Sequence, residues 1–314
     1  IVEDIDADGK DEIMIASAAI QLWVKPHQGG MVEELSLPGF NVNLTDTLSR
    51  REEIYHNKAR DSHIADHHVP RTVDSNDDME NPEREQPVWQ YDSYPRRMFI
   101  EHILPLDTSL DDFKSGHAAE LAAFYRKHFN VEKLEPAELE LQATDLVGCG
   151  ADLSEVKLTK HIILTEEDNS LSINYTVENK GQRREFLLGV ETNFGLLSPD
   201  DPTRYLAFPG STLQKIAPGG QHEFVRPADF EIRDRERNLR IHTRTRADSL
   251  WVLPLHTIAK SQRDYLKIYQ ATTIMHLFKV ELDENQKYTC KISLWFQPLS
   301  EGGKDIPYPG LFDF

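Results

Sequence analysis

Several segments of this chain alternate apolar and polar residues with a period of two. In a strand, this spacing places one side chain in the core and the next in water. The segment Glu155 to Leu164 (EVKLTKHIIL) shows the pattern. Four further segments share it: Ser170 to Val177, Glu185 to Asn193, Asn238 to Thr243 and Tyr288 to Phe296. Asn, Asp, Gly and Pro between such segments indicate turns. The pattern predicts an all-β fold, a large antiparallel β-sandwich, rather than alternating βαβ units.

Two segments interrupt this alternation. Thr47 to Arg60 is charged and compatible with a helix, and His117 to His128 has helical composition, although it could also be a strand with its turn. We therefore predict one or two short helices. Asp61 to Glu85 is rich in His, Asp, Asn and Pro, which predicts a long polar surface insert. Glu301 to Phe314 is predicted to be a C-terminal tail, and residues 1–314 are expected to form a single domain.

Composition and charge restrict the classes of partner. The chain has 314 residues, 39% of them hydrophobic, and a formal net charge of −18. Such an acidic protein repels phosphate backbones, which argues against nucleic acid as a partner. No apolar run approaches the ~20 residues that span a bilayer, so no membrane contact is predicted. Cys149 and Cys290 do not form a disulfide framework, and a cytoplasmic setting is expected. Because the chain opens at Ile1 in a hydrophilic stretch, it is interpreted as part of a longer protein.

An acidic loop near the start offers candidate metal ligands. Five residues would supply oxygen atoms: Asp4, Asp6, Asp8 and Glu12 through their carboxylates, and Lys10 through its carbonyl. Oxygen atoms at this spacing, with Gly9 at the sharp turn, can surround Ca²⁺. Ile15 stands where a helix-loop-helix calcium site has Glu, so the loop is expected to lead into a strand. The sequence predicts a structural calcium site, the alternative being an acidic surface turn that holds no ion.

A second group of residues has the chemistry of sugar recognition. Aromatic faces stack on sugar rings, while carboxylates, amides and Arg side chains hydrogen-bond the hydroxyls. The candidate carbohydrate-binding residues are Arg50, Arg51, Tyr55, His56, Tyr91, Asp92, Arg96, Arg97, Glu191 and Asn193. Glu191 and Asn193 point to one face of a predicted strand, beside Gly189, whose missing side chain would let another group approach. The alternative is structural: Asp92 and an Arg would form an ion pair that fixes a loop, and Glu191 would be a satisfied carboxylate at a sheet edge.

An ordered set of motifs carries a resemblance to a known family. In chain order these are the acidic loop Asp4 to Glu12, PHQGG at 26–30 before MVEEL at 31–35, NLTDTL at 43–48, RREE at 50–53, Tyr55 with His56, YDSYPRR at 91–97, Phe99 with Glu101 and His102, and GVETN at 189–193. Together they resemble the C-terminal region of glycoside hydrolase family 57, the 4-α-glucanotransferases and related α-amylases. The chain departs from that family at 121–125, where LAAFY replaces a Gly-Asp-Phe-like stretch.

The resemblance implies a galactose-mutarotase-like sandwich packed on an N-terminal barrel that carries the catalytic carboxylates. No motif of that barrel occurs in this chain, so an accessory domain without catalytic residues is expected. Its implied partners are an α-glucan or maltooligosaccharide and the barrel. One alternative is an epimerase-like enzyme that uses Glu191 with His102 or His56 as acid and base. Another is a purely structural interface module.

Overall fold

A computed structural model describes residues 1–54, 56, 90–208, 214–227, 229–260 and 265–299. Tyr55, the insert over 61–85 and the tail over 301–314, all named in the sequence predictions, lie outside the described residues. Within the described part of the chain, nineteen strands form two sheets in which every pair of neighbours is antiparallel. The prediction of an antiparallel all-β sandwich is confirmed.

The first sheet has ten strands. They are β1 (Val2–Glu3), β2 (Glu12–Ala16), β3 (Gln21–Lys25), β4 (Met31–Leu37), β5 (Val42–Asn43), β6 (Met98–Leu104), β11 (Arg184–Phe194), β14 (His222–Val225), β17 (Ser249–Lys260) and β18 (Tyr265–Leu282). Their order across the sheet is β1-β2-β3-β4-β6-β11-β18-β17-β14, with β5 paired to β4. The central strands β6, β11 and β18 therefore come from distant parts of the sequence.

The second sheet has nine strands. They are β7 (Asn130–Glu135), β8 (Glu138–Cys149), β9 (Asp152–Thr165), β10 (Ser170–Asn179), β12 (Arg204–Phe208), β13 (Gln214–Ile216), β15 (Asp229–Asp234), β16 (Leu239–Thr245) and β19 (Lys287–Pro298). Their order is β13-β12-β15-β16-β19-β10-β9-β8-β7. All five segments predicted from alternation correspond to strands, namely β9, β10, β11, β16 and β19, and only Asn238 lies outside its strand.

The inward-facing apolar residues of both sheets form the main core, which lies between the sheets. In β10, Leu171, Ile173 and Val177 are buried against partners such as Phe186 and Val190 of β11. The β9–β10 hairpin closes through a turn at Asn169, which has a positive φ of 51°. Asn adopts this left-handed conformation more readily than most residues because its short polar side chain can hydrogen-bond locally. The turn keeps the register in which the apolar residues of both strands face one side.

The helices are short. Helix α1 (Leu110–Ser115) begins at a capping box in which Ser109 and Asp112 exchange hydrogen bonds. Two 3-10 helices, Pro38–Phe40 and Phe124–Arg126, also occur in the described part of the chain. The helix expected over His117 to His128 is absent, and this segment contains only the second 3-10 helix and an isolated bridge, closer to the strand-with-turn alternative. Of the helix expected over Thr47 to Arg60, residues 47–53 are not helical, Ile54 and His56 are helical, and the other residues lie outside the described part of the chain.

A second apolar cluster covers the outer face of the ten-stranded sheet. Its buried members are Leu104, Leu110, Phe113, Trp251, Leu253, Met275 and Leu277. Helix α1 contributes Leu110 and Phe113, which pack on side chains of β6, β17 and β18. The strand face that carries Glu191 is therefore an interior surface rather than a sheet edge. No helix in the described part of the chain is long and apolar enough to cross a membrane.

Candidate functional site

A buried polar cluster lies on this covered face of the ten-stranded sheet. We define the Glu191 cluster as Tyr94, Arg96, His102, Glu191 and Asn193. Strand β6 carries His102, the neighbouring strand β11 carries Glu191 and Asn193, and the segment just before β6 carries Tyr94 and Arg96. The structure thus brings together residues that the sequence analysis assigned separately to sugar contact and to the epimerase alternative.

Glu191 is the centre of the cluster and is completely buried. Its Oε1 accepts from Arg96 Nη1 at 2.9 Å and from Asn193 Nδ2 at 2.6 Å. Its Oε2 accepts from the Tyr94 hydroxyl at 2.7 Å and lies 3.1 Å from His102 Nε2. Four protein groups therefore occupy the hydrogen-bonding capacity of this carboxylate. Burial alone would raise the pKa of Glu191, but the charges of Arg96 and His102 and the bond from His102 hold it well below its usual range.

His102 is held between two carboxylates. Its Nδ1 lies 2.6 Å from Glu120 Oε1, and its Nε2 faces Glu191. Burial would lower the pKa of His102, but the Glu120 charge and the hydrogen bonds to both carboxylates raise it to about 9. The ring is therefore an imidazolium at neutral pH and donates through both nitrogens.

Gly189 makes room for this ring. It is the Cα partner of His102 across the β6–β11 ladder. A Cβ atom at position 189 would lie 2.9 Å from Met275 Sδ and 3.4 Å from His102 Cβ. The predicted close approach at Gly189 is thus made by side chains of the protein.

A β-bulge positions the residues around Glu191. The β6–β11 register shifts between Glu191 and Thr192, which pair with Ile100 and Met98, so Phe99 is the extra residue. Phe99 has a φ of +58°, which is strained for an aromatic residue. Bulges of this kind bend a strand and re-aim the neighbouring side chains. Here the bulge leaves Phe99 buried in the main core and His102 on the opposite face, beside Glu191.

Asp92 forms a clamp with two arginines. Its Oδ1 accepts from Arg50 Nη2 at 2.5 Å and from Arg96 Nε at 2.8 Å, and its Oδ2 accepts from the backbone N–H of Arg50 at 2.6 Å. Burial would raise the pKa of Asp92, but the charges of Arg96 and Arg50 outweigh this effect and lower it. This geometry matches the structural ion-pair alternative of the sequence analysis. Arg96 links the clamp directly to Glu191.

The other carbohydrate candidates lie around this cluster. Arg97 donates from Nε to Glu33 Oε1 at 2.9 Å and from Nη1 to the Thr47 carbonyl at 2.7 Å. Asn193 Nδ2 also donates to the Arg97 carbonyl at 2.7 Å. These bonds tie the residue just before β6 to β4, to β11 and to the segment that follows β5. The sugar-contact assignment stays a prediction, and in this structure these polar atoms contact protein groups.

His56 and Tyr91 form a separate pair. His56 Nδ1 lies 3.1 Å from the Tyr91 hydroxyl, and the rings stack with centroids 5.7 Å apart. Arg51 is exposed, and Tyr55 lies outside the described residues. His102 Nε2 lies 3.1 Å from Glu191 Oε2, so the geometry favours His102 as the partner of Glu191.

The acidic loop brings three of its predicted ligands together. One carboxylate oxygen from each of Asp4, Asp6 and Asp8 lies within 4.8 Å of the others. The loop is organised by its own backbone, because the N–H of Gly9 donates to Asp4 Oδ2 at 2.9 Å and the N–H of Lys10 donates to Asp8 Oδ1 at 2.9 Å. The expected strand after the loop is β2, so that part of the prediction is confirmed.

Glu12 and His27 form a second potential ligand group with Asp8. Atoms of these three residues also lie within 4.8 Å of one another. Glu12 is completely buried, and its Oε1 has no hydrogen-bond partner among the described residues. His27 comes from the turn after β3, and Lys25 at the end of β3 donates to Asp6 Oδ2 at 2.6 Å. Glu12 was predicted from the sequence, whereas His27 and Lys25 were not, since only the pairing of β2 with β3 brings them to the loop.

A further buried ion pair crosses the main core. Lys160 of β9 and Glu101 of β6 are completely buried, with Nζ and Oε1 2.7 Å apart. Lys160 Nζ also donates to the carbonyls of Phe99 at 2.7 Å and Gly30 at 2.8 Å, and the Tyr175 hydroxyl donates to Glu101 Oε1 at 2.8 Å. Burial disfavours both charges, so it lowers the pKa of Lys160 and raises that of Glu101 against their attraction. This pair joins the two sheets and was not predicted from the sequence.

Known structures place this fold among the galactose-mutarotase-like β-sandwiches. A putative aldose 1-epimerase from Escherichia coli K12 superposes with a TM-score of 0.56 at 12% identity, covering 92% of this chain and 99% of that one. A 4-alpha-glucanotransferase from Thermococcus litoralis superposes with a TM-score of 0.70 at 23% identity, covering 95% of this chain but 39% of that one. These similarities define the fold. The particular family follows from the sequence, because the model of the α-amylase/4-α-glucanotransferase C-terminal family matches residues 4–292, and the chain belongs to that family.

Curated relatives agree with this assignment. Alpha-amylase 1 of Dictyoglomus thermophilum is 25% identical over 295 residues, which are 93% of this chain and 41% of that protein. The 4-alpha-glucanotransferase of Thermococcus kodakarensis is 26% identical over 289 residues, which are 89% of this chain and 39% of that protein. The chain therefore spans about two fifths of the length of these relatives.

Proposed function

We propose that this chain is a non-catalytic accessory domain of an α-glucan-processing enzyme. The observation that carries the proposal is the state of Glu191 and His102. Both side chains are completely buried, and all four donors to Glu191 belong to the protein. A sugar ring could reach this acid–base pair only if the segment carrying Tyr94 and Arg96 moved away. This chain matches only about two fifths of each relative, so the larger part of each lies outside the matched region. This supports an accessory domain within a longer enzyme.

The proposal includes the partner and the setting of the parent protein. The N-terminal part of a glycoside hydrolase family 57 enzyme, a barrel with the catalytic carboxylates, would pack against this sandwich and act on an α-glucan. The parent would be cytoplasmic, where free thiols such as Cys149 and Cys290 stay reduced. Under this proposal the Glu191 cluster stabilises the domain that supports the barrel.

An activity assay tests the proposal. The purified 314-residue chain is incubated with maltoheptaose and with amylose, and the products are separated by chromatography. We expect the chain-length distribution to equal that of the buffer control. Shortened or rearranged glucans would contradict the proposal directly.

The epimerase alternative needs a different assay. Optical rotation of freshly dissolved α-D-galactose and α-D-glucose is followed with and without the chain, and equal relaxation rates are expected. If the chain accelerates relaxation and His102→Gln removes the acceleration, the epimerase alternative is right. Only the epimerase mechanism uses the His102 imidazolium.

We also propose that the acidic loop holds a structural calcium ion. Asp4, Asp6 and Asp8 supply the converging oxygen atoms, and Ca²⁺ prefers such ligands. The fit is supported by Glu12, whose buried Oε1 has no hydrogen-bond partner in the described part of the chain. The ion would tie this loop to β2, and Lys10 would contribute its carbonyl as predicted.

Thermal unfolding checks the calcium proposal. Saturating Ca²⁺ stabilises a folded state that binds it, by about 2.7 kcal/mol at 100 times Kd. We therefore expect Tm to rise with Ca²⁺ and to fall with chelator in the wild-type chain and in the control Asp11→Asn, which alters an exposed carboxylate of the same loop. Asp4→Asn should lose this response. A wild-type Tm that is equal in excess Ca²⁺ and in chelator would rule out the ion.

A further inference from the structure

A histidine faces two carboxylates beside the acidic loop. His27 Nε2 lies 3.4 Å from Asp8 Oδ2 and 3.9 Å from Glu12 Oε1. Asp8 belongs to the loop, Glu12 is the first residue of β2, and His27 belongs to the turn after β3. One potential ligand atom of each lies within 4.8 Å of the others. The pairing of β2 with β3 thus brings one imidazole and two carboxylates to the same place.

These separations suit ligands of one metal ion better than hydrogen bonds. An N–H to oxygen hydrogen bond spans about 2.7–3.2 Å between heavy atoms, less than either distance from His27 Nε2. Zn²⁺ binds nitrogen and oxygen at about 2.0–2.2 Å, so two ligand atoms of a tetrahedral ion are about 3.4 Å apart. The distance from Nε2 to Asp8 Oδ2 has this value, and a small movement of the Glu12 side chain brings its Oε1 to the same distance.

Burial makes the Glu12 carboxylate the strongest indication of a ligand. The Glu12 side chain is completely buried, and the His27 side chain is only 9% exposed. Glu12 Oε1 has no hydrogen-bond partner within the described residues. A buried carboxylate oxygen is costly unless a hydrogen-bond donor or a cation satisfies it. A metal ion between Glu12 and His27 would satisfy this oxygen.

The protein already holds both buried side chains in position. Glu12 Oε2 accepts from the backbone N–H of Ile5 at 3.0 Å, and the other oxygen of the same carboxylate faces His27. Pro26, next to His27, accepts from the backbone N–H of Phe129 at 2.8 Å, which anchors the turn to the segment before β7. Ligands that are positioned in advance reduce the entropy lost on binding.

The imidazole distinguishes this group from the proposed calcium loop. Ca²⁺ takes oxygen ligands, whereas imidazole favours Zn²⁺ and related transition metals. Asp4 and Asp6 occur only in the all-oxygen group, Glu12 and His27 only in the mixed group, and Asp8 in both. Asp8 Oδ2 is the oxygen that faces His27.

We propose that Asp8, Glu12 and His27 form a site for a divalent transition-metal ion of the Zn²⁺ class. The ion binds Asp8 Oδ2, Glu12 Oε1 and His27 Nε2, and water completes its coordination. It links the loop and the start of β2 to the turn after β3. The site goes beyond the accessory role of the domain, and it differs from the calcium site in its metal and in two of its ligands.

Calorimetric titration of the metal-free 314-residue chain with ZnCl₂ tests the site. The chain has 13 histidines, so the comparison of variants, and not binding alone, identifies the site. His27→Gln should weaken binding of one Zn²⁺ at least about tenfold, because loss of even an outer-shell partner costs about 10–100-fold in metal affinity. His161→Gln is the matched control. His161 Nε2 also faces a carboxylate, Glu138 Oε1 at 2.5 Å, and this variant should bind Zn²⁺ like the wild type.

A crossed comparison separates the two metal sites. Asp4→Asn, which should lose the response of Tm to Ca²⁺, should bind Zn²⁺ like the wild type. His27→Gln should keep the rise of Tm with Ca²⁺. If Asp4→Asn lost Zn²⁺ binding while His27→Gln retained it, the acidic loop alone would hold the Zn²⁺ and the proposal would be wrong.

Circular dichroism verifies that each variant is folded. If His27→Gln fails to fold, Asp8→Asn takes its place with the same expected loss, because the Asp8 side chain is 40% exposed. Wild-type protein without saturable Zn²⁺ binding, or equal Zn²⁺ affinity of the wild type and the folded ligand variant, would overturn the site. The proposed accessory function is contradicted by a different result, namely catalysis by the chain.

Discussion

Glu191→Gln is expected to lower the free energy of unfolding by about 3–5 kcal/mol, the usual effect of removing one partner from a buried ion pair. The substitution keeps the shape of the side chain but removes the charge that Arg96 and His102 face at 2.9 and 3.1 Å. Both cations would then be buried without that counter-ion. Equilibrium unfolding in urea at pH 7 measures the change.

A control on the same strand shows whether the loss of stability depends on the burial of the charged side chain. Glu185 is exposed on β11 and pairs with Arg183, so Glu185→Gln should cost less than about 1 kcal/mol. If Glu191→Gln left stability unchanged but removed binding of maltoheptaose, the sugar-contact prediction for this cluster would be right and the structural reading wrong. The expected result is the reverse, with lower stability and unchanged affinity in the protein that remains folded.

Lys160→Met is the second substitution with a large expected effect, again about 3–5 kcal/mol of lost stability. The Met side chain fills similar space but leaves Glu101 buried without its cation. It also removes the donor that serves the carbonyls of Phe99 and Gly30. The strained backbone at Phe99 would lose a contact that holds it. Urea unfolding at pH 7 is the measurement.

A double-mutant cycle tests whether the loss comes from the unpaired charge. Glu101→Gln keeps an oxygen that can accept from the Tyr175 hydroxyl, which donates to Oε1 at 2.8 Å. In the Lys160→Met and Glu101→Gln double variant, no charge is left unpaired, so we expect it to be clearly more stable than the sum of the single changes predicts. Strict additivity would contradict a direct interaction between these two side chains.

The fold class could be predicted because one face of many strands meets the core and the other meets water. This holds for β9 and β19, whose alternation was visible in the sequence. It fails for β6, in which all seven residues are buried, because the main core covers one face and the outer cluster covers the other. A strand covered on both sides has no period to detect.

The helix predicted over His117 to His128 was placed wrongly for a related reason. Helix α1 has six residues, too few to show a 3.6-residue period. Its only clear sequence signals are the pair Ser109 and Asp112 at capping-box spacing and Gly116, which ends the helix with a φ of +75°. His117 to His128 has good helix formers, but its backbone instead returns to pair with Ile103. Tertiary contacts outweighed local propensity.

In the candidate site as well, contacts between residues close in sequence could be predicted, whereas contacts between distant segments could not. The shared face of Glu191 and Asn193 followed from strand spacing, and the bond between them confirms it. The ion-pair alternative for Asp92 also agrees with the structure. In contrast, Glu120 reaches His102, and Lys160 reaches Glu101, through pairing and sheet packing, which no local pattern encodes. The ligand roles of the loop residues stay predictions that the calcium experiment decides.

The Asp92 clamp has a consequence for sequence variation. The backbone N–H of Asp92 donates to the Arg50 carbonyl at 2.8 Å, and the backbone N–H of Arg50 donates to the Asp92 carboxylate, although 42 positions separate the two residues. These bonds thus hold positions 50 and 92 side by side. Closing a flexible loop costs only about 0.6 kcal/mol more for each doubling of its length. Homologous proteins can therefore differ in the number of residues between positions 50 and 92 with little thermodynamic penalty, provided that the carboxylate and its guanidinium partner are retained.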